Sequence, residues 1–238
     1  MGGATSAGAS QASQRGAFIL FEGVDRCGKT TQSRRLVEHL QAVGVDAELW
    51  RFPDRTTAIG RMIDAYLSCK AEADDAAMHL LFSANRWEKR AALLAALAAG
   101  RTLVVDRYAY SGVAFTAAKR LPGLDLAWCQ APDRGLPAPD AIIYLELSIE
   151  DAMARGGFGG ERYEREELQR EVARQFMAMR DGAWHVLDAS QSEGALHTQV
   201  RNIAEDVVDR CRAGPRVGTL WADVGQGRCA LDSAFGRL

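Results

Sequence analysis

The sequence lacks the features that assign a class most directly. Its five cysteines, Cys27, Cys69, Cys129, Cys211 and Cys229, form no C-x-x-C pair, and its four histidines, His39, His79, His185 and His197, stand at no ligand spacing from them. That excludes a structural zinc site or disulfide framework as a sequence reading. It predicts reduced thiols in a cytoplasmic setting, with a nuclear one left open. No apolar run approaches the length of a bilayer span, so no membrane partner is expected. Excess positive charge is also missing. A net charge of −2 and a pI near 6.1 argue against a bulk nucleic-acid binder, while leaving room for a local basic pocket that takes small phosphates. Residues 1–15 hold no acid and no apolar core, which excludes a signal peptide; the single Arg15 gives only a faint transit-peptide character. They read as a disordered tail.

What is present starts with Gly23-Val24-Asp25-Arg26-Cys27-Gly28-Lys29-Thr30, which fits G-x-x-x-x-G-K-[ST]. An apolar strand pattern, Ala17–Glu22, precedes it and a helical pattern, Lys29–Ala42, follows. Strand, loop and helix are the context this phosphate-binding motif requires. The glycines let backbone N–H groups turn toward phosphate oxygens. The helix N-terminus adds partial positive charge. Lys29 suits β- and γ-phosphates, and the Thr30 hydroxyl suits Mg²⁺.

The rest of the chain alternates. Strands are predicted at 46–50, 102–106, 141–147 and 184–188. Helices are predicted at 59–67, as one long stretch at 74–99, and at 111–119, 150–155, 166–180 and 193–212. Residues 121–139 read as loop-rich, with a helical turn near 124–130. This order predicts an α/β domain over residues 16–213: a five-stranded parallel sheet flanked by helices on both faces, in three layers. Four glycines fall among residues 156–160, so about 155–164 reads as a mobile lid. Residues 214–238 hold no sustained period and read as an extension, poorly ordered or packed on the surface.

A phosphate loop does not by itself separate kinases from GTPases, ATPases and motor domains. The chain's two asparagines, Asn85 and Asn202, do not precede lysine, so the N-K-x-D element of guanine-specific switches is missing. Several further segments carry a resemblance: Glu22 to Gln32 around the loop, Arg51-Phe52-Pro53, Leu81-Phe82-Ser83-Ala84-Asn85-Arg86-Trp87, Asp106-Arg107-Tyr108 and Ser111-Gly112-Val113-Ala114-Phe115. In order and spacing, from about Gly16 to Arg212, they resemble thymidylate kinases. The resemblance implies a P-loop nucleoside monophosphate kinase fold. It implies transfer of the ATP γ-phosphoryl to dTMP, giving dTDP and ADP for dTTP synthesis, with Mg²⁺ as cofactor and a homodimer as assembly.

The residue chemistry fits that expectation site by site. Phe82 and Arg86 share a helix face. Phe82 alone reads as a core aromatic; with Arg86 beside it, it stacks on a pyrimidine while Arg86 donates to O4, which rejects cytosine. Phe52 closes the other side of the base, or anchors its loop. Arg55 and Arg107 are the candidates for the acceptor phosphate, although Arg55 alone reads rather as a solvated loop charge. Asp106 holds the Mg²⁺ shell with Thr30, or else pairs with Arg107 or caps a helix. By the resemblance, Asp25 meets the sugar 3′-hydroxyl, Tyr163 packs beside its 2′ carbon, Gly112 and Phe115 shape the same pocket, and Gln169 is a weaker contact. Gly23, Arg26, Cys27, Gly28, Lys29, Thr30 and Thr31 surround the ATP phosphates. Arg155 lies at the lid, and Ala189 and Gln191 lie where such kinases cradle adenine. The predicted catalytic set is Arg26, Lys29, Asp106 and Arg107. Arg26 places the chain with the eukaryotic type of the family, whose catalytic arginine sits in the loop; Arg155 and Arg162 at the lid leave a shared role open. The alternatives are a kinase for another nucleotide or deoxynucleoside, and a regulatory module that binds ATP without transfer.

Overall fold

The computed structural model describes residues 15–155, 160–212, 214 and 216–222. Five strands form one sheet in the order β2-β3-β1-β4-β5, and every neighbouring pair is parallel. They are β1 (Phe18–Glu22), β2 (Ala47–Arg51), β3 (Thr102–Asp106), β4 (Ala141–Glu146) and β5 (Trp184–Asp188). The central strands β1 and β3 are buried along their whole length. Apolar residues on both faces of each strand make a two-sided burial the stable solution.

Those two faces alternate residue by residue. Phe18, Leu20, Leu103, Val105, Ile142 and Tyr144 point into one core cluster, which also holds Leu93, Val113, Val172 and Phe176. Ile19, Phe21, Val104, Ile143 and Leu145 point into the other, with Leu36, Leu40, Val200 and Val207. The first cluster is roofed by α4 (Arg90–Ala98), α5 (Ala109–Ala117) and α8 (Glu166–Ala178), the second by α1 (Lys29–Ala42) and α9 (Glu193–Arg212). A small third cluster, Ile63, Tyr66, Leu67 and Met78, joins α2 (Ala58–Leu67) to α3 (Asp75–Trp87). The expected three-layer α/β architecture is therefore the one formed.

One predicted element needs correction. The single helix expected over 74–99 is two, α3 and α4, with a turn at Glu88 and Lys89. Both turn residues are tied to the loop after β2. The Glu88 carboxylate accepts from Asn85 Nδ2 at 2.7 Å and Thr57 Oγ1 at 2.6 Å, and Lys89 pairs with Asp54 at 2.8 Å. Local helix propensity gives way to these long-range bonds. The helical turn of the loop-rich stretch is α6 (Leu126–Gln130), and α7 (Ile149–Ala154) leads to the stretch predicted as a lid.

The N-terminal tail reading falls on residues outside the described set, except Arg15, whose guanidinium meets Asp140 at 2.6 Å. Residues 156–159 of the expected mobile lid and residues 223–238 of the extension also lie outside it. The described part of the extension packs against the domain: Thr219 bridges Pro137 antiparallel, and Leu220 is buried. Among the described residues no helix is long and apolar enough to cross a membrane.

Candidate active site

A cleft of about 740 Å³ opens at the carboxyl ends of β1, β2 and β3. The carboxyl edge of a parallel sheet is where α/β folds place ligands. Its walls are the phosphate loop, the 51–55 loop, one face of α3, the start of α5, and residues 160–164 of the lid.

The loop takes its shape from its two glycines. Gly23 has φ 143°, and a Cβ there would lie 2.7 Å from the Leu145 carbonyl oxygen. Gly28, at φ 104°, is the residue before α1 and brings no side chain to cap it. The first N–H groups of α1 are therefore left for an anion. Lys29 is buried and its Nζ donates to the Val24 carbonyl at 2.5 Å. Gly28, Thr30 and Thr31 line the cleft. The Cys27 side chain does not: it is fully buried in the α1 core cluster, as a small filler.

Thr30 and Asp106 meet in the cleft. Thr30 Oγ1 donates to Asp106 Oδ2 at 2.7 Å. The other carboxylate oxygen, Oδ1, is buried and has no hydrogen-bond partner among the described residues. A buried orphan acceptor beside a hydroxyl fits a hydrated hard cation, since Mg²⁺ keeps several waters and is held by few protein oxygens.

Arg107 is left-handed at φ 68°. Its guanidinium pairs with Asp25, donates to Ser111 Oγ at 2.9 Å, and lies 5.3 Å over the Phe115 ring. Burial alone would push the Asp25 carboxyl up. Arg107, Lys29 and Gln169 outweigh burial and hold it below the usual carboxylate range. Gln169 is a contact to Asp25 rather than part of the cleft wall. Its Nε2 donates to Asp25 Oδ2 at 2.6 Å, and its Oε1 accepts from the Asp25 N–H at 2.9 Å.

Phe82 and Arg86 project from α3 into the far end of the cleft, opposite Gly112 and Phe115 of α5. Arg86 is 3% exposed and forked onto the fully buried Asp133, with Nε to Oδ1 at 3.0 Å and Nη2 to Oδ2 at 2.5 Å. Gly112 makes this approach possible, because a Cβ there would stand 2.8 Å from Arg86 Nη2. Phe52 borders the same space but is mostly core, its ring 5.4 Å from that of Tyr108. Arg55 bridges Asp64 at 2.7 Å and the lid's Glu161 at 2.9 Å.

At the lid, the Tyr163 ring tilts 32° against Phe115 at 5.4 Å, and its hydroxyl accepts from Lys119 at 3.0 Å. Burial pushes the Tyr163 phenol up to about 12. Arg26, at φ 62°, reaches Glu164 at 3.0 Å. The two lid arginines differ. Arg155 lines the cleft and donates to the carbonyls of Arg26 and Ala189, each at 2.9 Å. Arg162 turns outward to Glu72 at 2.7 Å and to the Tyr66 ring at 4.2 Å. Ala189 is 2% exposed, and the Gln191 side chain donates to the Asp188 carbonyl at 2.7 Å; neither borders the cleft.

Two fully buried residues behind the cleft wall escaped the sequence reading. Glu22 is fully buried and accepts from the Tyr108 and Ser111 N–H groups, at 3.0 and 3.1 Å, and from Ser111 Oγ at 2.6 Å. It thus fixes the start of α5 to the end of β1. Burial raises its carboxyl above the usual range, against the pull of Arg107. Asp133 is the second, as the counter-charge of Arg86.

Comparison with known proteins places this geometry. The family model described as thymidylate kinase matches residues 21–200. The chain is 50% identical over 213 residues to a thymidylate kinase of Homo sapiens, covering 88% of this chain and 99% of that one. It is 48% identical over 213 residues to a thymidylate kinase of Arabidopsis thaliana, covering 90% and 80%. A solved thymidylate kinase of Candida albicans, reported for its broad substrate specificity and a novel structural element, superposes with a TM-score of 0.77 at 33% identity, covering 87% of this chain and 98% of that one. The phosphate loop, Arg107 over Phe115, and the Phe82–Arg86 face thus sit in a fold shared with these enzymes, and the chain belongs to the thymidylate kinase family.

Proposed function

We propose that the cleft transfers the γ-phosphoryl group of ATP to dTMP, giving dTDP and ADP on the route to dTTP. One observation carries the reading: a single cleft is bordered both by the phosphate loop and by the Phe82–Arg86 face. In this reading Lys29 and the N–H groups at the start of α1 hold the donor phosphates. Arg107 and Arg55 aim the acceptor phosphate, and Arg55 exchanges its present carboxylate partners, Asp64 and Glu161, for phosphate oxygens. Arg26 turns to the group in transfer and neutralises its charge. A phosphate oxygen is already a competent nucleophile, so no separate base is required. Positioning and charge neutralisation supply the rate.

Arg86 is presented to the base with its geometry set by Asp133. A fixed cation and donor at the pyrimidine's 4-position accepts a carbonyl and is mismatched to an amine. Asp25 meets the 3′-hydroxyl, held by Arg107 and Gln169, and Tyr163 with Phe115 closes over the sugar. Thr30 and Asp106 would hold Mg²⁺, which supplies charge neutralisation on the nucleotide phosphates. The reading includes a homodimer, on the family resemblance, and a cytoplasmic setting, on its scattered thiols.

ADP release with ATP, Mg²⁺ and a panel of dTMP, dUMP, dCMP, AMP and thymidine tests the proposal. Release should be fastest with dTMP and weak with dCMP and AMP. Release with thymidine but not dTMP would make the protein a nucleoside kinase. Acceptor-independent release would mean transfer to water, an ATPase; absent release would leave only ATP binding.

A further inference from the structure

We infer that the segment Val217–Trp221 is a clasp that positions the base-recognising arginine, an inference that rests on the proposed dTMP reading. The segment lies beyond the stretch matched by the family model, and it runs along the back of the 131–138 loop. The Leu220 N–H donates to the Leu136 carbonyl at 2.8 Å, and the Leu220 carbonyl accepts from the Gly135 N–H at 3.2 Å. The Ala138 N–H donates to the Gly218 carbonyl at 2.9 Å. Leu220 is 2% exposed and joins the core beside fully buried Leu136. The Trp221 ring packs edge-on against Tyr110 at 5.3 Å, and Tyr110 packs in turn on Trp184 of β5.

The 131–138 loop has no strand or long helix of its own to hold it. It nevertheless carries the group that fixes Arg86. Asp133 takes both Arg86 bonds and also accepts from Ser83 Oγ at 2.8 Å. The neighbouring Pro132 carbonyl accepts from Trp87 Nε1 at 2.7 Å. The α3 side of the loop is thus bound to the substrate pocket, and the opposite side is bound to the clasp. Without the clasp, the Gly135 and Ala138 N–H groups and the Leu136 side chain lose their partners, and the loop is free to rearrange. Asp133 then no longer fixes the Arg86 fork in one orientation. Leu220 and Trp221 are positioning residues: they act on dTMP recognition through Asp133 and Arg86, with no contact to the cleft.

The test uses the full chain and two variants, Leu220→Ala and Trp221→Ala, with Trp221→Phe as the conservative control. Each is assayed below its own unfolding temperature. KM for dTMP should rise about tenfold while KM for ATP stays within about twofold, because only one substrate meets the displaced residue. Trp221→Phe should restore the wild-type value. A purely structural clasp would lower the melting temperature and leave both KM values unchanged, which overturns the inference. A second measurement needs no variant. Linkage is reciprocal, so dTMP must tighten the clasp if the clasp tightens dTMP. Hydrogen exchange of residues 216–222 in the wild-type chain should slow with dTMP and not with ATP. Unaltered exchange with saturating dTMP overturns the inference even if the variants fail to fold. A wild-type chain that releases no ADP with dTMP contradicts the function itself; a chain that does so, with unaltered KM in both variants, contradicts only the clasp.

Discussion

Arg26 adopts φ 62°, a left-handed conformation rare for a side chain of its size, in the middle of the phosphate loop. Such backbone is kept where the surrounding structure over-determines it, often at functional sites. Its guanidinium meets Glu164 at 3.0 Å, a carboxylate contact of the kind a phosphate replaces. Arg26→Ala should lower kcat by about 10²–10³-fold, the usual loss for one preorganised donor. The dissociation constant for dTMP should hardly move. Rapid-mix turnover and equilibrium titration of the same variant check this, and a loss confined to affinity contradicts a role in transfer. Arg26, Lys29 and Thr30 were legible as residues of the cleft because the loop motif sets them at the start of α1, and Asp106 because it ends a buried strand. Glu22 and Asp133 were not. The role of Asp133 comes from Arg86, 47 residues away, and no local pattern around residue 133 marks it. Gln169 was legible as a site residue, but the structure gives it to Asp25 rather than to the cleft.

At the scale of elements, α3, α5 and α6 meet at His79. The side chain is buried, its Nδ1 is 2.8 Å from Thr116 Oγ1 and its Nε2 is 2.8 Å from the Cys129 carbonyl. A carbonyl only accepts, so Nε2 carries the proton and Nδ1 accepts from the hydroxyl. Burial, and then Arg86 nearby, push the His79 pKa below the ordinary histidine value. The unfolded chain therefore binds the extra proton first as pH falls. Stability from this group is full above about 6.5, the unfolded value, and is lost as pH drops toward the lowered folded value. His185 and His197 are shifted in the same direction. The difference between wild type and His79→Gln therefore isolates His79. Urea unfolding at pH 7 and pH 5 should show a smaller loss of stability in the variant, and equal losses contradict the assignment. The same junction shows why elements were legible unevenly. α9 was predicted at its observed bounds, Glu193–Arg212, because its apolar period runs unbroken. The break between α3 and α4 was invisible because Glu88 and Lys89 are ordinary helix formers. Their partners, Thr57 and Asp54, lie in the loop after β2.

Across the whole molecule, the sheet sets the phosphate loop and Asp106 on adjacent strands β1 and β3, and residues 160–164 of the predicted lid reach the cleft. Glu161 reaches Arg55 and Glu164 reaches Arg26, so the lid's acids meet the same cations that the proposed reaction gives to phosphates. The two-faced sheet was legible from strand–helix alternation, since a parallel strand buried on both sides must read as continuously apolar. How the lid meets the core was not legible, because those contacts join residues more than a hundred positions apart. The central claim is that loop, acceptor pocket and lid act together, so that the γ-phosphoryl group goes to dTMP and not to water. ATP labelled in its γ-phosphate tests it directly, with the label followed into dTDP and into inorganic phosphate, with and without dTMP. The account predicts that the label passes to dTDP when dTMP is present and stays on ATP when it is absent. Label released as inorganic phosphate at the same rate with and without dTMP, and none in dTDP, would contradict it.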